Sequence, residues 1–320
     1  MNRRRQAVGK FYGLLALTAA IWGIQPLFIK LAVREITPVS LTVVRFVLIS
    51  ATIFLIMRWR HRTPLLPPLS ALFPLFCMGV CGVAVNNVAQ FTGLQYSTVG
   101  NATLIASTTP AVTALLAVLF LRERLLPIQW LGIVISLLGV LVLISKGSLA
   151  ILLRISFNYG DLLFFFAQLG WAAYMLIGFR VMHHLSALGT TAWAGVFGAL
   201  TTLVYGLITD ELHYAPLSPA GMAYMAYIIW MGGVCAMVFW NLGVKMVGAS
   251  LAAVFLNIMP LVGVAVGVIV LDEDFYWQEC FGAGGILSGV YLLTQARQIL
   301  HRRNVRRKAH YRAARQRMQA

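Results

Sequence analysis

The chain has 320 residues, of which 60% are hydrophobic and 11% charged, against roughly 25% charged in a soluble domain. That balance excludes an ordinary water-soluble globular fold and marks an integral membrane protein. The formal net charge of +16 raises nucleic acid as a partner, but the charge follows the sides of a membrane, so no nucleic acid is expected.

Apolar stretches near the length that crosses a bilayer, about 20 residues, recur at 11–33, 39–57, 70–91, 98–120, 127–145, 160–180, 188–208, 219–241, 248–271 and 278–296. The pattern predicts an all-α polytopic membrane protein with ten transmembrane helices. Residues 1–10 form a basic N-terminus, 147–159 an external linker and 297–320 a basic tail with nine Lys and Arg and no acid. The first stretch is too long for the apolar core of a signal peptide and is followed by Lys30, so it is expected to be retained. The tail is expected to be a solvated anchor; binding to anionic lipid headgroups is the alternative. Cys77, Cys81, Cys235 and Cys280 show neither loop spacing nor a His/Cys cluster, so they are expected to be small buried packing residues, and no metal or cofactor is expected.

With a cytoplasmic N-terminus, one side of the membrane receives twenty Lys and Arg residues and the other three, Arg34, Lys146 and Arg154. Positive residues favour the cytoplasm, which places both termini there, in a bacterial inner membrane.

The chain also repeats itself. Residues 93–143 align without gaps on 243–293, with 12 of 51 positions identical. They include Pro110/Pro260, Gly132/Gly282 and Gly139/Gly289, which mark backbone constraints rather than mere apolarity. Trp22 and Trp171 extend the match at an offset of 149. Leu-Arg-Glu-Arg at 121–124 echoes Leu-Asp-Glu-Asp at 271–274 with reversed flanking charges, so the two copies put the same helix end on opposite membrane faces. Five helices per copy, an odd number, require this. The expected fold is therefore two inverted five-helix repeats, 11–146 and 160–296, an arrangement common among secondary transporters.

These residues also resemble a known family. Ala-Ile-Trp-Gly at 20–23, Val-Arg-Phe at 44–46, Gly-Leu-Gln-Tyr-Ser-Thr-Val-Gly-Asn-Ala at 93–102 and Pro110 precede Leu-Arg-Glu-Arg, Gly132 and Gly139. Gly160-Asp161, Gly-Trp-Ala at 170–172, Pro260 and Glu273 follow in the second half. The chain is similar over about 11–296 to the ten-helix EamA-domain transporters of the drug/metabolite transporter superfamily. The resemblance implies a transporter, not an enzyme, that moves amino acids or related small metabolites, with export as the direction. The four-helix multidrug relatives use a Glu in their first helix. Here no acid lies between Lys10 and Glu35, so their proton coupling does not carry over, and exchange or facilitated diffusion stays open.

Polar residues at membrane depth are costly and face protein or water. The candidates are Trp22, Gln25, Lys30, Arg45, Asn86, Asn87, Gln90, Asn101, Ser107, Thr108, Gln168, Trp171, Tyr174, Trp240, Asn241 and Asn257. Helical spacing groups Trp22 with Gln25, Gln168 with Trp171 and Tyr174, and Asn86 with Gln90. The substrate-cavity set is Trp22, Gln25, Asn86, Asn87, Gln90, Ser107, Gln168, Trp171, Tyr174 and Asn257: aromatic walls with a few amides, suited to a small amphipathic solute. The competing reading of each amide is a hydrogen bond between helices. Lys30 suits a snorkelling or structural role, whereas Arg45 is open between a structural pair and a substrate carboxylate. Pro110 and Pro260 are expected as mid-helix hinges or static bends. Gly132, Gly139, Gly282 and Gly289 point to close packing, either between the halves or with a second copy in a homodimer. Glu123 and Glu273 end their helices and suit structural pairing better than a proton relay. A lipid-modifying enzyme would want clustered acids beside His183, His184 and Ser186, and a passive channel a continuous polar stripe. The sequence offers neither.

Overall fold

In a computed structural model, residues 2–60, 64–97, 105–153, 158–270 and 276–296 are described, and among them the chain is helical with no strand. Helices are what a bilayer permits, because hydrocarbon offers no partner to an unpaired peptide group. In chain order they are α1 (Asn2–Ala32), α2 (Pro38–Arg60) and α3, which runs Leu69–Gly79, Val80–Val85, Asn86–Tyr96. Then come α4 (Ile105–Leu121), α5 (Pro127–Ile144), α6 (Tyr159–Val181) and α7 (Ala187–Thr209). Last are α8 (Pro219–Val247), α9, which runs Ala249–Val254, Phe255–Asn257, Ile258–Val270, and α10 (278–296). Eight of these rods are long and apolar enough to cross a membrane; α4 is shorter, and α10, which carries Gln278 and Glu279, is not among the eight.

Helix ends follow their sequences. Pro127 and Pro219 sit in first turns, where a missing N–H costs nothing. Asn158 and Asp161 cap α6 reciprocally, and the hydroxyls of Ser186 and Ser218 accept from Gly189 N and Gly221 N. The two copies reuse one device: Leu126 N donates to Gln129 Oε1 (2.9 Å) and, 150 residues on, Tyr276 N donates to Glu279 Oε2 (3.2 Å).

The relation between the copies is written in their contacts. A Cβ added at Gly132 would lie 2.8 Å from the Gly289 carbonyl oxygen, and one at Gly139 would lie 2.7 Å from that of Gly282. Gly132 and Gly282 are repeat counterparts, as are Gly139 and Gly289. Each glycine therefore touches the counterpart of the other. That is the signature of a twofold axis, and it makes α5 and α10 antiparallel. The glycine faces serve contact between the halves rather than a second copy. On α2 and α7, the counterparts Phe46 and Gly195 touch each other directly, where Ser50 Oγ also donates to Ala192 O (3.0 Å).

The same symmetry swaps elements. Gly93 of α3 packs on Phe164 of α6, and Gly243 of α8 packs on Leu15 of α1. Asn86 Nδ2 donates to Ala167 O (2.8 Å) in one copy, and Thr18 Oγ1 donates to Ala236 O (3.3 Å) in the other. These two bonds join counterpart positions, with the donor on opposite members of the pair.

Two expectations are corrected. Pro110 does not sit in mid-helix: it opens the run Thr109–Leu121 after a turn at Thr108. Pro260 does lie within α9, after a 3-10 turn at Phe255–Asn257. Neither proline can return a backbone hydrogen bond four residues back, so each helix breaks one turn earlier. The cysteines are not buried: Cys77, Cys81 and Cys235 are half-buried and Cys280 is exposed, because a thiol costs little on a surface facing hydrocarbon. Asn101, Glu273 and the basic tail lie outside the described residues.

Replacing Gly139 by Val should destabilise the protein by about 1–3 kcal/mol, since a branched side chain would meet backbone. Gly284→Ala, where a Cβ meets nothing within 4 Å, should leave stability unchanged or slightly raised. Unfolding titrations in mixed micelles measure both.

Candidate functional site

Both copies break regular winding at the same place. Val80–Val85 in α3 and Tyr227–Cys235 in α8 are π-helical, and the first maps into the second at an offset of 150. A π segment widens the helix and is common at functional sites. Each carries an identical glycine, Gly82 or Gly232, against which a side chain of the partner helix presses: Tyr174 of α6 on Gly82, and Gln25 of α1 on Gly232. Tyr174 and Gln25 are themselves counterparts.

Between these two segments three tryptophans meet. The Trp22 ring lies 5.3 Å from Trp171, edge-on at 80°, and 5.3 Å from Trp240; Trp171 lies 6.1 Å from Trp240. Trp171 also stacks on Tyr174 at 5.1 Å and 8°. The rings prefer such edge and offset geometries because their faces are negative and their edges positive. Hydrogen bonds fix the orientation. Trp22 Nε1 donates to Gly232 O (2.8 Å), and Asn241 Nδ2 donates to Tyr174 OH (2.8 Å) and Thr191 Oγ1 (2.7 Å). Two polar atoms beside the rings stay without a partner among the described residues: Trp240 Nε1 and Gln25 Oε1, on side chains 0% and 7% exposed.

The sequence-chosen residues divide. Trp22, Gln25, Trp171 and Tyr174 come together in this cluster. The other amides lie between helices. Asn86 bonds α6, Gln168 Oε1 accepts from Thr109 of α4 (2.7 Å), and Asn257 Nδ2 donates to Ser136 of α5 (2.9 Å). Asn87 Nδ2 donates within α3 to Val83 O (2.9 Å), and its Oδ1 accepts from Arg45 Nη1 (3.2 Å). Ser107 is buried beside the α4 turn, Gln90 is half-buried, and Lys30 is exposed, as a snorkelling side chain requires. Glu123 ends α4 and accepts from Ser250 of α9 (2.6 Å), which ties two helix ends together. Trp240 and Asn241 stood among the candidates but outside the chosen set. Trp240 aligns with Gln90, and that pairing of unlike residues hid its place in the cluster. The π segments were missed; the identical pair Gly82/Gly232, just upstream of the counted repeat, was their signal.

The rings of the cluster are in mutual contact. A cavity of about 860 Å³ opens between α3, α4 and α6, lined by Phe73, Pro74, Cys77, Ile177, His183 and His184 among others. None of the chosen residues lines it. In the other copy three rings meet at the corresponding place: Phe28 stacks on Tyr227 at 4.2 Å and lies 5.9 Å from Tyr224. Phe28, Tyr224 and Tyr227 are the counterparts of Ile177, Pro74 and Cys77. Glu35, counterpart of His184, accepts from Ser218 N (2.7 Å) and Oγ (2.8 Å). Beside the cavity His183 Nδ1 contacts Phe179 O at 2.8 Å and Ser186 is engaged as a helix cap. No group of metal-ligating residues occurs among the described residues.

A membrane-embedded helical protein built from two antiparallel copies, with polar and aromatic groups gathered where they meet, is the architecture of a membrane transporter. The sequence profile of the EamA-like transporter family matches residues 10–145 and 158–295, and the chain belongs to that family. It is 32% identical over 186 residues to the uncharacterized transporter YyaM of Bacillus subtilis, covering 58% of this chain and 61% of that one. It is 26% identical to the S-adenosylmethionine/S-adenosylhomocysteine transporter of Chlamydia trachomatis, over 88% of each. A solved crystal structure superposes with a TM-score of 0.73 over 90% of this chain and 97% of its own, at 18% identity, a likeness in fold alone.

Trp22→Phe removes the bond to Gly232 and should cost about 0.5–1.5 kcal/mol of stability. Trp22→Ala also removes the ring contacts and should cost about 3–5 kcal/mol. Unfolding followed by tryptophan emission separates the two.

Proposed function

We propose that the chain is a secondary transporter for a small amphipathic metabolite, an amino acid or a derivative, and that it exports the solute by alternating access between its two inverted halves. Ten crossings, both termini in the cytoplasm and a bacterial inner membrane belong to this reading. The twenty-to-three distribution of Lys and Arg supports it, as does a relative named for amino-acid-derived solutes.

The observation that carries the mechanism is the difference between these two places. One joint, used twice in opposite orientation, holds a cavity at α3, α4 and α6, and at its counterpart the rings of Phe28, Tyr224 and Tyr227 meet. Exchanging the two states opens the path to the other side. The broken helices before Pro110 and Pro260 supply the bending points. The aromatic cluster between them supplies contact area, and its few polar atoms fix the orientation of the solute.

Purified protein in sealed vesicles should show saturable counterflow of at least one labelled amino acid or aromatic metabolite. Trp22→Phe and Trp171→Ala should lower that flux on the order of ten-fold while the protein stays folded and monodisperse. Non-saturable flux would instead indicate a channel, and chemical conversion without flux an enzyme.

A further inference from the structure

Arg45 is a buried cation with an unused edge. It lies seven residues into α2, about 10 Å along the axis from Pro38, and is 5% exposed. Its Nη1 donates to Asn87 Oδ1 at 3.2 Å. Its Nε has no hydrogen-bond partner, and no ion pair reaches it among the described residues. The Phe46 ring beside it, 5.2 Å from Cζ, is its neighbour in sequence and does not neutralise it.

The surroundings hold this side chain in place. Asn87 donates to Val83 O, inside the π segment of α3, which leaves Oδ1 pointed at the guanidinium. One turn along α2, Ile49 presses on Gly233 in the π segment of α8. The neighbouring glycines of both segments bear on the aromatic cluster, Gly82 through Tyr174 and Gly232 through Trp22. Arg45 therefore sits between the two widened helices whose glycines bear on that cluster. Symmetry does not explain it. Its counterpart on α7 is Ala194, 1% exposed and packed against Gly79, so the fold tolerates an apolar residue in this position.

We propose that Arg45 is an oxyanion receptor that takes the carboxylate of the transported solute through its Nε edge, with Asn87 as the residue that positions it. A guanidinium offers parallel N–H groups that match two carboxylate oxygens. A charge at membrane depth that lacks an acid of its own is neutralised when such a ligand arrives. The aromatic cluster then receives the apolar part of the same molecule. The proposal deepens the transporter reading and rests on it for the origin of the ligand.

The test is thermal unfolding of the full chain in detergent, with L-phenylalanine, L-leucine, L-glutamate and benzoate as carboxylates at millimolar concentration. 2-Phenylethylamine and phenylalaninamide are the matched probes without one. At least one carboxylate should raise the wild-type Tm by on the order of 3 °C, and neither amine should. Arg45→Met should melt no lower than wild type without solute, because it removes an uncompensated charge, and should lose the protection. Arg45→Lys, which keeps the charge and loses the fork, should retain part of it. An Arg45→Met protein that melts far below wild type without solute assigns the guanidinium to the scaffold and overturns the proposal. So does equal protection of both proteins, protection of neither, or protection by phosphatidylglycerol in mixed micelles alone, which points to a lipid phosphate. Protection by a carboxylate without counterflow in vesicles would retire the transporter reading and keep the site. Counterflow of amines without carboxylate protection would do the reverse.

Discussion

Direct approach of backbone to backbone at glycine, repeated on both sides of a twofold axis, is the constraint on which this molecule depends. Inside a bilayer, helices gain little from excluding water, because lipid tails are as apolar as leucine. Association has to come from close packing and from hydrogen bonds that cross between helices. The α5·α10 seam supplies the first, with Gly132 on Gly289 and Gly139 on Gly282. The bonds Asn86 to Ala167 and Thr18 to Ala236 supply the second, once in each copy. Since one copy repeats the contacts of the other, a change in either sequence acts on a geometry that both share.

Much of this was legible in the chain. Hydropathy sets the rods. The paired glycines and prolines announce the repeat. Reversed charges about Glu123 and Glu273 announce its inversion, and the antiparallel α5 and α10 bear this out. The tryptophans were findable because an indole at the middle of a span has no interface to sit in. Other features were out of reach for physical reasons. A π segment depends on what the neighbouring helix presses against it, as Tyr174 does on Gly82. An amide in a helix reads the same whether it faces solute or a neighbouring carbonyl; Asn86, Gln168 and Asn257 turned out to face neighbours. The prolines pointed to a break but not to its place, one turn upstream.

Unsatisfied polar atoms weigh on the same scaffold. Eight buried side-chain polar atoms have no partner among the described residues, Thr113 Oγ1, Thr190 Oγ1 and Asn257 Oδ1 among them. Gln25 Oε1 and Trp240 Nε1 beside the tryptophans, and Arg45 Nε between the widened helices, are three more of the eight. A buried polar atom without a partner costs roughly 1–3 kcal/mol in proteins, so these three are a substantial burden on the scaffold. A ligand that meets them relieves it.

The difference between the two joints has a thermodynamic consequence. If the two copies were identical in sequence, the molecule and its inverted image would have equal free energy, and neither side of the membrane would be favoured at rest. Phe28, Tyr224 and Tyr227 stand where the other copy has Ile177, Pro74 and Cys77, so that degeneracy is lifted. Each 1.4 kcal/mol of difference between the two arrangements shifts the resting populations about ten-fold. In the alternating-access reading proposed above, differences between the copies such as these three pairs bias the conformational equilibrium without touching the centre.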